Sequence, residues 1–394
     1  MKKLLMLSAS VFEIPLIQKA QENGFYVITT GNNKNSPGHK ISDEYAPFDY
    51  SDYPGMVELG RRLKIDAISQ GCSDNCALVA SYMGEKLGLK GHDTFINAQI
   101  IHRKDKFKEF VKKEGIKSPN AEYFSYIEKA KGYDVISNLP LIVKPADQAG
   151  GKGVSVVYDE ASYISAVEKA FDISNNKRIV VEQYIKGTLH SFMSFIIDKK
   201  VVSYATLNDY SYANKYMTNT GVSPADNHEK AVKALIPEIN KVAQKLELVD
   251  GLLHMQYIDR EGEYWIIEMM RRMPGNNCTT AASRAFGIDW RDWIIRAEAG
   301  MNCSGIPKQT ISDKLYGYHA VMSNRNGIYN GLDINNEIKN QIIDITEYEE
   351  PGSVIDDYLY QKLALVQFYL KNSIQKDELI GRINDIIGYK VLND

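Results

Sequence analysis

The chain of 394 residues has little cysteine (four) and little tryptophan (three). Cys72, Cys76, Cys278 and Cys303 are too few and too scattered for a disulfide scaffold. Cys72 and Cys76 form C-x3-C with no matching His or Cys pair downstream, so the spacing of a zinc site is missing. No stretch approaches the roughly 20 apolar residues of a membrane helix. The apolar start, Met1 to Leu7, is interrupted by Ser8 and Ser10 and closed by Glu13, too short for the core of a signal peptide. These absences point to a soluble, cytoplasmic protein. Charge of one sign is also lacking: 47 Lys and Arg stand against 50 Asp and Glu, a net of −3. A dedicated nucleic-acid binder would show a basic footprint, and none is present. The first strand–helix turn, Leu7-Ser8-Ala9-Ser10-Val11, carries no G-x-G-x-x-G, so the usual dinucleotide site is excluded, and the Walker A pattern is absent throughout.

Hydrophobic residues make up 44% and charged residues 25%, a globular composition, and the length suits two to three domains. Over residues 1 to 100 short apolar runs alternate with helical periodicity, the pattern of a parallel sheet with helices on its faces. A single long helix is expected over 97–114, with Gly115 as its stop. Strands are expected at 141–145, 154–158, 179–185, 192–197 and 201–207, with a helix over 161–171, an α+β and largely antiparallel pattern. The polar, Tyr- and Asn-rich stretch 208–228 reads as a mobile loop. A helix over 229–246, bent or restarted at Pro237, and strands at 252–258 and 264–270 follow. Beyond Pro307 the composition turns Ile-, Asn- and Tyr-rich, which suits a small α+β module.

Three elements carry chemistry. Leu141-Ile142-Val143-Lys144-Pro145 leads into Ala149-Gly150-Gly151-Lys152-Gly153 and a second strand. Glycine lets backbone N–H groups approach phosphate oxygens, and Lys144 and Lys152 add positive charge beside them; an ordinary hairpin is the alternative. Val180-Val181-Glu182-Gln183-Tyr184-Ile185 reads as an edge segment whose free backbone groups can meet a purine while Glu182 accepts from its amino group; a solvent-facing edge strand is the alternative. Gln256 and, twelve residues later, Glu268 can sit opposite each other in antiparallel strands. Oxygen ligands of this kind suit Mg²⁺, and an ion pair of Glu268 with Arg271 or Arg272 is the alternative.

In this order the elements resemble the ATP-grasp superfamily of carboxylate–amine ligases, in particular biotin carboxylase, carbamoyl-phosphate synthetase and the purine-pathway ligases. The resemblance covers about residues 1–300. It implies a Rossmann-like pre-ATP-grasp domain (1–104), a two-part ATP-grasp domain (105–300, with a lid at about 118–186) and a C-terminal α+β module (301–394). It implies that Lys106 and Lys144 contact the phosphates of ATP, that Gly150, Gly151 and Gly153 close over them, and that Glu182, Gln183, Tyr184 and Ile185 read adenine. Gln256 and Glu268 match the Mg²⁺ pair, with Mn²⁺ as a substitute; Arg272 matches the arginine that orients the acid, and Lys152 is expected to act beside it. The sequence departs from the family in two places. Leu189 stands where an acid usually holds the ribose, leaving His190 for that role, and Met270 stands where an Asn metal ligand is common.

The implied reaction phosphorylates a carboxylate to an acyl-phosphate and passes the acyl group to an amine, giving ADP and phosphate. The expected partners are a small-molecule acid and amine, with no nucleic acid and no membrane, and a homodimer is the base-rate expectation for assembly. Rival readings are a bicarbonate-using carboxylase, a phosphoribosylamine–glycine-type ligase, a kinase, and a nucleotide-binding subunit without turnover.

Overall fold

The computed structural model describes residues 1–148 and 150–392; Ala149, at the head of the Gly-rich turn, lies outside the described residues, as do Asn393 and Asp394. The apolar run at the start forms β1 (Lys3–Leu7), buried from Leu4 onward. After α1 (Ile14–Glu22) come β2 (Tyr26–Thr30), β3 (Glu44–Tyr45), α2 (Tyr53–Leu63), β4 (Ala67–Ser69) and α3 (Asp74–Leu87). The four strands run parallel in the order β3-β2-β1-β4. Periodic apolar positions of α2 and α3, among them Met56, Val79 and Met83, pack with Leu5, Leu7 and Ile28 of the sheet.

The single helix expected at 97–114 is two helices, α4 (Phe95–His102) and α5 (Lys104–Lys113), separated by Arg103 in an extended conformation (φ −102°, ψ 117°). The break starts a new helix whose positions 104, 107 and 108 share one side, as the i, i+3, i+4 spacing requires.

A second sheet follows: β5 (Ala121–Phe124), α6 (Ile127–Lys131), β6 (Leu141–Pro145), β7 (Ser155–Val157), α7 (Glu160–Ile173) and β8 (Ile179–Gln183). Its strands are antiparallel in the order β5-β8-β6-β7. Asp159 caps α7 by accepting from the Ser162 N–H at 2.8 Å, and Tyr163, Val167 and Ala170 pack on Leu141, Val143 and Val181. The order corrects one expectation. The strand with Glu182 is interior, bonded to β5 and β6, because both flanking segments fold back onto it.

The third sheet is the largest. β9 (Thr188–Ile197), β10 (Lys200–Tyr210), β11 (Thr220–Ser223), α8 (His228–Lys245), β12 (Gly251–Arg260), β13 (Glu263–Met270), α9 (Cys278–Phe286) and α10 (Trp290–Glu298) build most of it. The remaining strands are β14 (Leu315–Met322), β15 (Gly327–Ile334), β16 (Ile342–Glu347), β17 (Val354–Ile355), β18 (Lys362–Leu370) and β19 (Ile387–Leu392). Eight strands join in the order β13-β12-β9-β10-β11-β14-β18-β16, and β17-β15-β19 form a small separate sheet. The large sheet runs on past residue 300 through β14, β18 and β16. Ile239 and Val242 of α8 pack with Phe192, Met255 and Tyr257 on one face. Trp290 and Ile294 of α10 pack with Met193, Phe195 and Leu252 on the other.

The stretch 208–228, expected as a loop, contains the end of β10 and all of β11, because Thr220–Ser223 pairs with both β10 and β14. α8 runs through Pro237 as one helix. No helix among the described residues is long and apolar enough to cross a membrane.

Candidate active site

Where the second and third sheets meet α5, an enclosed cavity of about 60 Å³ is lined by Lys104, Lys108, Lys144, Glu182 and Glu268, with Asp74 and His102 at one end. Helical spacing brings Lys104 and Lys108 there. Lys104 Nζ donates to the carbonyl of Gln148 at 2.7 Å, and Lys108 Nζ donates to Ser118 Oγ at 2.8 Å and pairs with Glu182. Lys144, from β6, pairs with the other Glu182 oxygen at 2.5 Å. Burial alone would raise the Glu182 carboxyl, but the Lys144 and Lys108 ammoniums outweigh it and hold it down to about 2. Burial pushes the Lys104 and Lys108 ammoniums below their ordinary value, and Lys144 adds repulsion to both. Three lysines face three acids here, of which Glu182 is held by Lys108 and Lys144 and Asp74 by Arg272 and His102.

Glu268 reaches this cavity through a β-bulge. Gln256 and Glu268 are direct cross-strand partners, and the register shifts just beyond them, so that Tyr257 faces Ile266. Ile266 packs into the α8 core, and Ile267, Glu268, Met269 and Met270 all line the cavity, Met269 touching both. Glu268 forms no ion pair among the described residues. Arg271 is instead committed to Asp93 at 2.8 Å and to the carbonyls of Leu252 and Val249. Gln256 Nε2 donates to Asp209 Oδ2 at 3.1 Å, and Ser191 Oγ donates to the same oxygen at 2.6 Å. Burial pushes the Asp209 carboxyl up to about 7, with those two hydrogen bonds opposing. Met270 is buried and offers no oxygen.

Arg272 lies at the far end, bidentate on Asp74 at 3.0 and 3.1 Å. The Arg272 and His102 partners hold the Asp74 carboxyl well below the carboxylate range despite its burial. Asp74 opens α3, so the first sheet's unit supplies one wall of the site. His254, beside Arg272, is buried and pushed down to about 3 by desolvation.

Other expected residues lie elsewhere. Lys106 is on the other side of α5 from Lys104, its ammonium on Gln99 Oε1 at 2.7 Å. His190 stacks on Tyr257 (ring centroids 5.2 Å apart) and meets Thr188 Oγ1 at 2.7 Å. Tyr257 belongs to the α8 core, so His190 faces away from Gln256, whose partner in β9 is Ser191. The backbone of the hinge is not free: Gln183 N–H donates to Asn120 O and Tyr184 N–H to Pro140 O. The alternation of β8 sends the Glu182 side chain to the lysines, while Gln183 and Tyr184 line a wide open cleft of about 890 Å³ with Lys186, Thr188 and Asp259. Ile185 is buried. That larger cleft lacks Lys104, Lys144 and Glu268.

The Gly-rich turn has Gly150, Gly151 and Gly153 at φ +65°, +80° and +72°. A Cβ on Gly151 would stand 2.7 Å from Tyr216, and one on Gly153 2.8 Å from Pro145, so side chains are excluded at both. The turn rests on neighbouring segments: Asn214 Nδ2 donates to Gly150 O at 3.3 Å, and Lys152 lies over the Tyr360 ring at 4.7 Å.

Sequence reading missed Lys104, Lys108, Asp74 and Asp209. The i, i+4 spacing was the available signal for the two lysines; Asp74 and Asp209 are single acids whose relevance comes only from tertiary contact.

Residues 103–258 match the model of the phosphoribosylglycinamide synthetase ATP-grasp (A) domain. The fold is ATP-grasp. Among solved structures, the chain is similar over its whole length to L-amino acid ligase from Bacillus licheniformis (TM-score 0.81, 17% identity, covering 100% of this chain and 99% of that one). It is also similar to phosphoribosylglycinamide synthetase from Anaerococcus prevotii (TM-score 0.77, 20% identity, 99% and 100%). By sequence it is 25% identical over 195 residues to the carbamoyl phosphate synthase large chain of Sulfolobus acidocaldarius, a match spanning 47% of this chain and 17% of that relative.

Proposed function

We propose that this chain is an ATP- and Mg²⁺-dependent ligase that activates a carboxylate as an acyl-phosphate and joins it to an amine. The observation that carries the reading is the convergence of Lys104, Lys108 and Lys144 on one cavity with Glu268, a carboxylate left without a cation. The divisions at 1–104, 105–300 and 301–394, with the first as the pre-ATP-grasp unit and the last as a C-terminal module, belong to the same reading, as does a homodimer.

The residues fit the ligands. Lys104 and Lys144 supply charge for the triphosphate, and Lys108 fixes Glu182. Glu268 and the Gln256 amide oxygen would hold one divalent ion, whose chemistry is to neutralise charge on the phosphoryl oxygens. Asp209 occupies the Gln256 NH₂, which leaves the amide oxygen for other partners. The cavity is too small for a nucleotide as it stands, so the second sheet and its Gly-rich turn must move away from α5 and from Tyr216 and Tyr360 to admit one. Closure then excludes water from the acyl-phosphate. Arg272 can grip the acid substrate bidentately once it is released from Asp74.

A phosphate-release screen of acid and amine pairs tests the reading. Turnover is expected to need both substrates and to disappear in Lys144→Ala; unchanged turnover in that variant would refute the assignment.

A further inference from the structure

Four adjacent strands carry one polar row across the face of the large sheet that meets α9 and α10. Glu268 of β13 faces Gln256 of β12, Gln256 faces Ser191 of β9, and Ser191 faces Leu207 of β10, two residues before Asp209. Alternation keeps Asp209 on the side of Ala205 and Leu207, which pack with Met193 and Leu252. Asp209 is 6% exposed. Its Oδ2 accepts from Ser191 Oγ at 2.6 Å and from Gln256 Nε2 at 3.1 Å, while Oδ1 is buried with no hydrogen-bond partner among the described residues. No cation among the described residues offsets that burial. An acid held this way is costly, and an apolar side chain in its place would avoid the cost.

The use of the acid lies in Gln256. A glutamine amide has two ends of similar size, and only its oxygen can ligate a cation. Met270 is buried and offers no oxygen, so the cation pair rests on Glu268 and the Gln256 amide. A flipped amide would leave Glu268 alone and turn an NH₂ group toward the ion. Asp209 Oδ2 prevents the flip. It already receives the Ser191 hydroxyl proton, so a Gln256 oxygen turned toward it would meet an acceptor with no hydrogen between them. The NH₂ group is therefore held toward β9 and β10, and the oxygen is the end left for the side of β13. Because Oδ2 accepts from two donors, a proton taken up by this carboxyl sits on Oδ1, and Oδ2 stays an acceptor in both charge states.

We propose that Asp209 is the positioning residue of the divalent-cation site: through Oδ2 it fixes the Gln256 amide with its oxygen toward Glu268. The inference rests on the reading of Gln256 and Glu268 as the cation pair. Asp209 touches neither the ion nor the nucleotide and acts through Gln256 alone. A carboxylate in place of that amide has two equivalent oxygens and needs no such orientation.

The test titrates Mn²⁺ into the full chain in the presence of β,γ-imido-ATP and reads protein-bound Mn²⁺ by water-proton relaxation. Affinity for the analogue without metal is measured separately in EDTA, with melting curves alongside. Asp209→Leu and Asp209→Ala both remove the acceptor, so one folded variant suffices. Each is expected to weaken Mn²⁺ binding by about 10- to 100-fold, the range for residues that orient a metal ligand, and to leave metal-free analogue binding unchanged. Asp209→Asn keeps an acceptor oxygen and is expected to retain most of the wild-type affinity. In the Gln256→Glu background the loss from Asp209→Leu is expected to vanish, which general damage to the fold would not produce. Wild-type Mn²⁺ affinity in a folded Asp209→Leu or Asp209→Ala protein, or an equal loss in the Gln256→Glu background, overturns the positioning role. Glu268→Gln separates the two readings. If it weakens Mn²⁺ binding, the cation pair stands even where the Asp209 role falls; if it changes nothing, both fall.

Discussion

The sharpest distinction in the site is between two lysines two residues apart. Lys104 faces the cavity and Lys106 faces Gln99, because positions 104 and 106 point to different sides of α5. Replacing Lys104 by Met keeps the stem and removes the ammonium. In the free protein it loses one bond to the Gln148 carbonyl and a desolvation cost, so stability changes little. With ATP bound it loses a charge-assisted hydrogen bond to phosphate, worth about 1.5–3 kcal/mol. At about 1.4 kcal/mol per factor of ten, that is roughly 10- to 150-fold in kcat/KM for ATP. Lys106→Met removes a bond to a neutral amide outside the cavity, about 0.5–1.5 kcal/mol, and this falls on stability rather than on catalysis. Both variants are to be titrated with ATP in a coupled ADP-release assay, with melting curves run alongside. If Lys106→Met loses as much kcat/KM as Lys104→Met, the orientation of α5, and the phosphate role given to Lys104, are wrong.

Three further outcomes follow from buried groups. Glu182→Gln leaves Lys108 and Lys144 without their anion and should cost about 3–5 kcal/mol of stability, read by denaturant melts. Because the folded carboxyl is depressed from 4.5 to about 2, the wild-type advantage is present above pH 4.5 and fades as pH falls through that window; an advantage that instead grows on acidification would contradict the pairing. Glu298, which accepts from Ser69 Oγ at 2.5 Å, behaves oppositely: burial pushes its carboxyl from 4.5 up to about 7. The folded state keeps a proton that the unfolded chain releases, so stability falls as pH rises from 4.5 to 7 and levels beyond. Glu298→Gln should flatten that slope in melting temperature, and parallel slopes would refute it. His190→Ala should lower stability by about 1–3 kcal/mol through lost packing on Tyr257 and leave the KM for ATP unchanged; a raised KM would return His190 to the nucleotide.

Much of this was legible in the residues, and the failures have physical causes. The Lys144 hairpin and the Gln256–Glu268 pair are local, each set by strand alternation and a short turn, so their geometry follows from spacing. Lys104 was passed over because Arg103 breaks the helix, a backbone choice that the helical periodicity of 97–114 conceals. Strand Glu182 read as an edge because apolar runs do not say how many neighbours they bond. His190 fell on the wrong face for a related reason: a side chain one position from Ser191 points to the opposite side of a strand, and the alternation was not applied there. Asp74 and Asp209 acquire meaning only when strands and helices distant in sequence meet.

The central claim is that a triphosphate and one divalent ion occupy the crevice between the second and third sheets. A crystal structure with Mg²⁺ and a non-hydrolysable ATP analogue measures this directly. The account predicts phosphate oxygens within hydrogen-bond distance of Lys104 and Lys144, with the metal on Glu268. A nucleotide bound in the outer cleft beside Lys186, or a crevice still closed by the Glu182–Lys144 pair at saturating analogue, would contradict it.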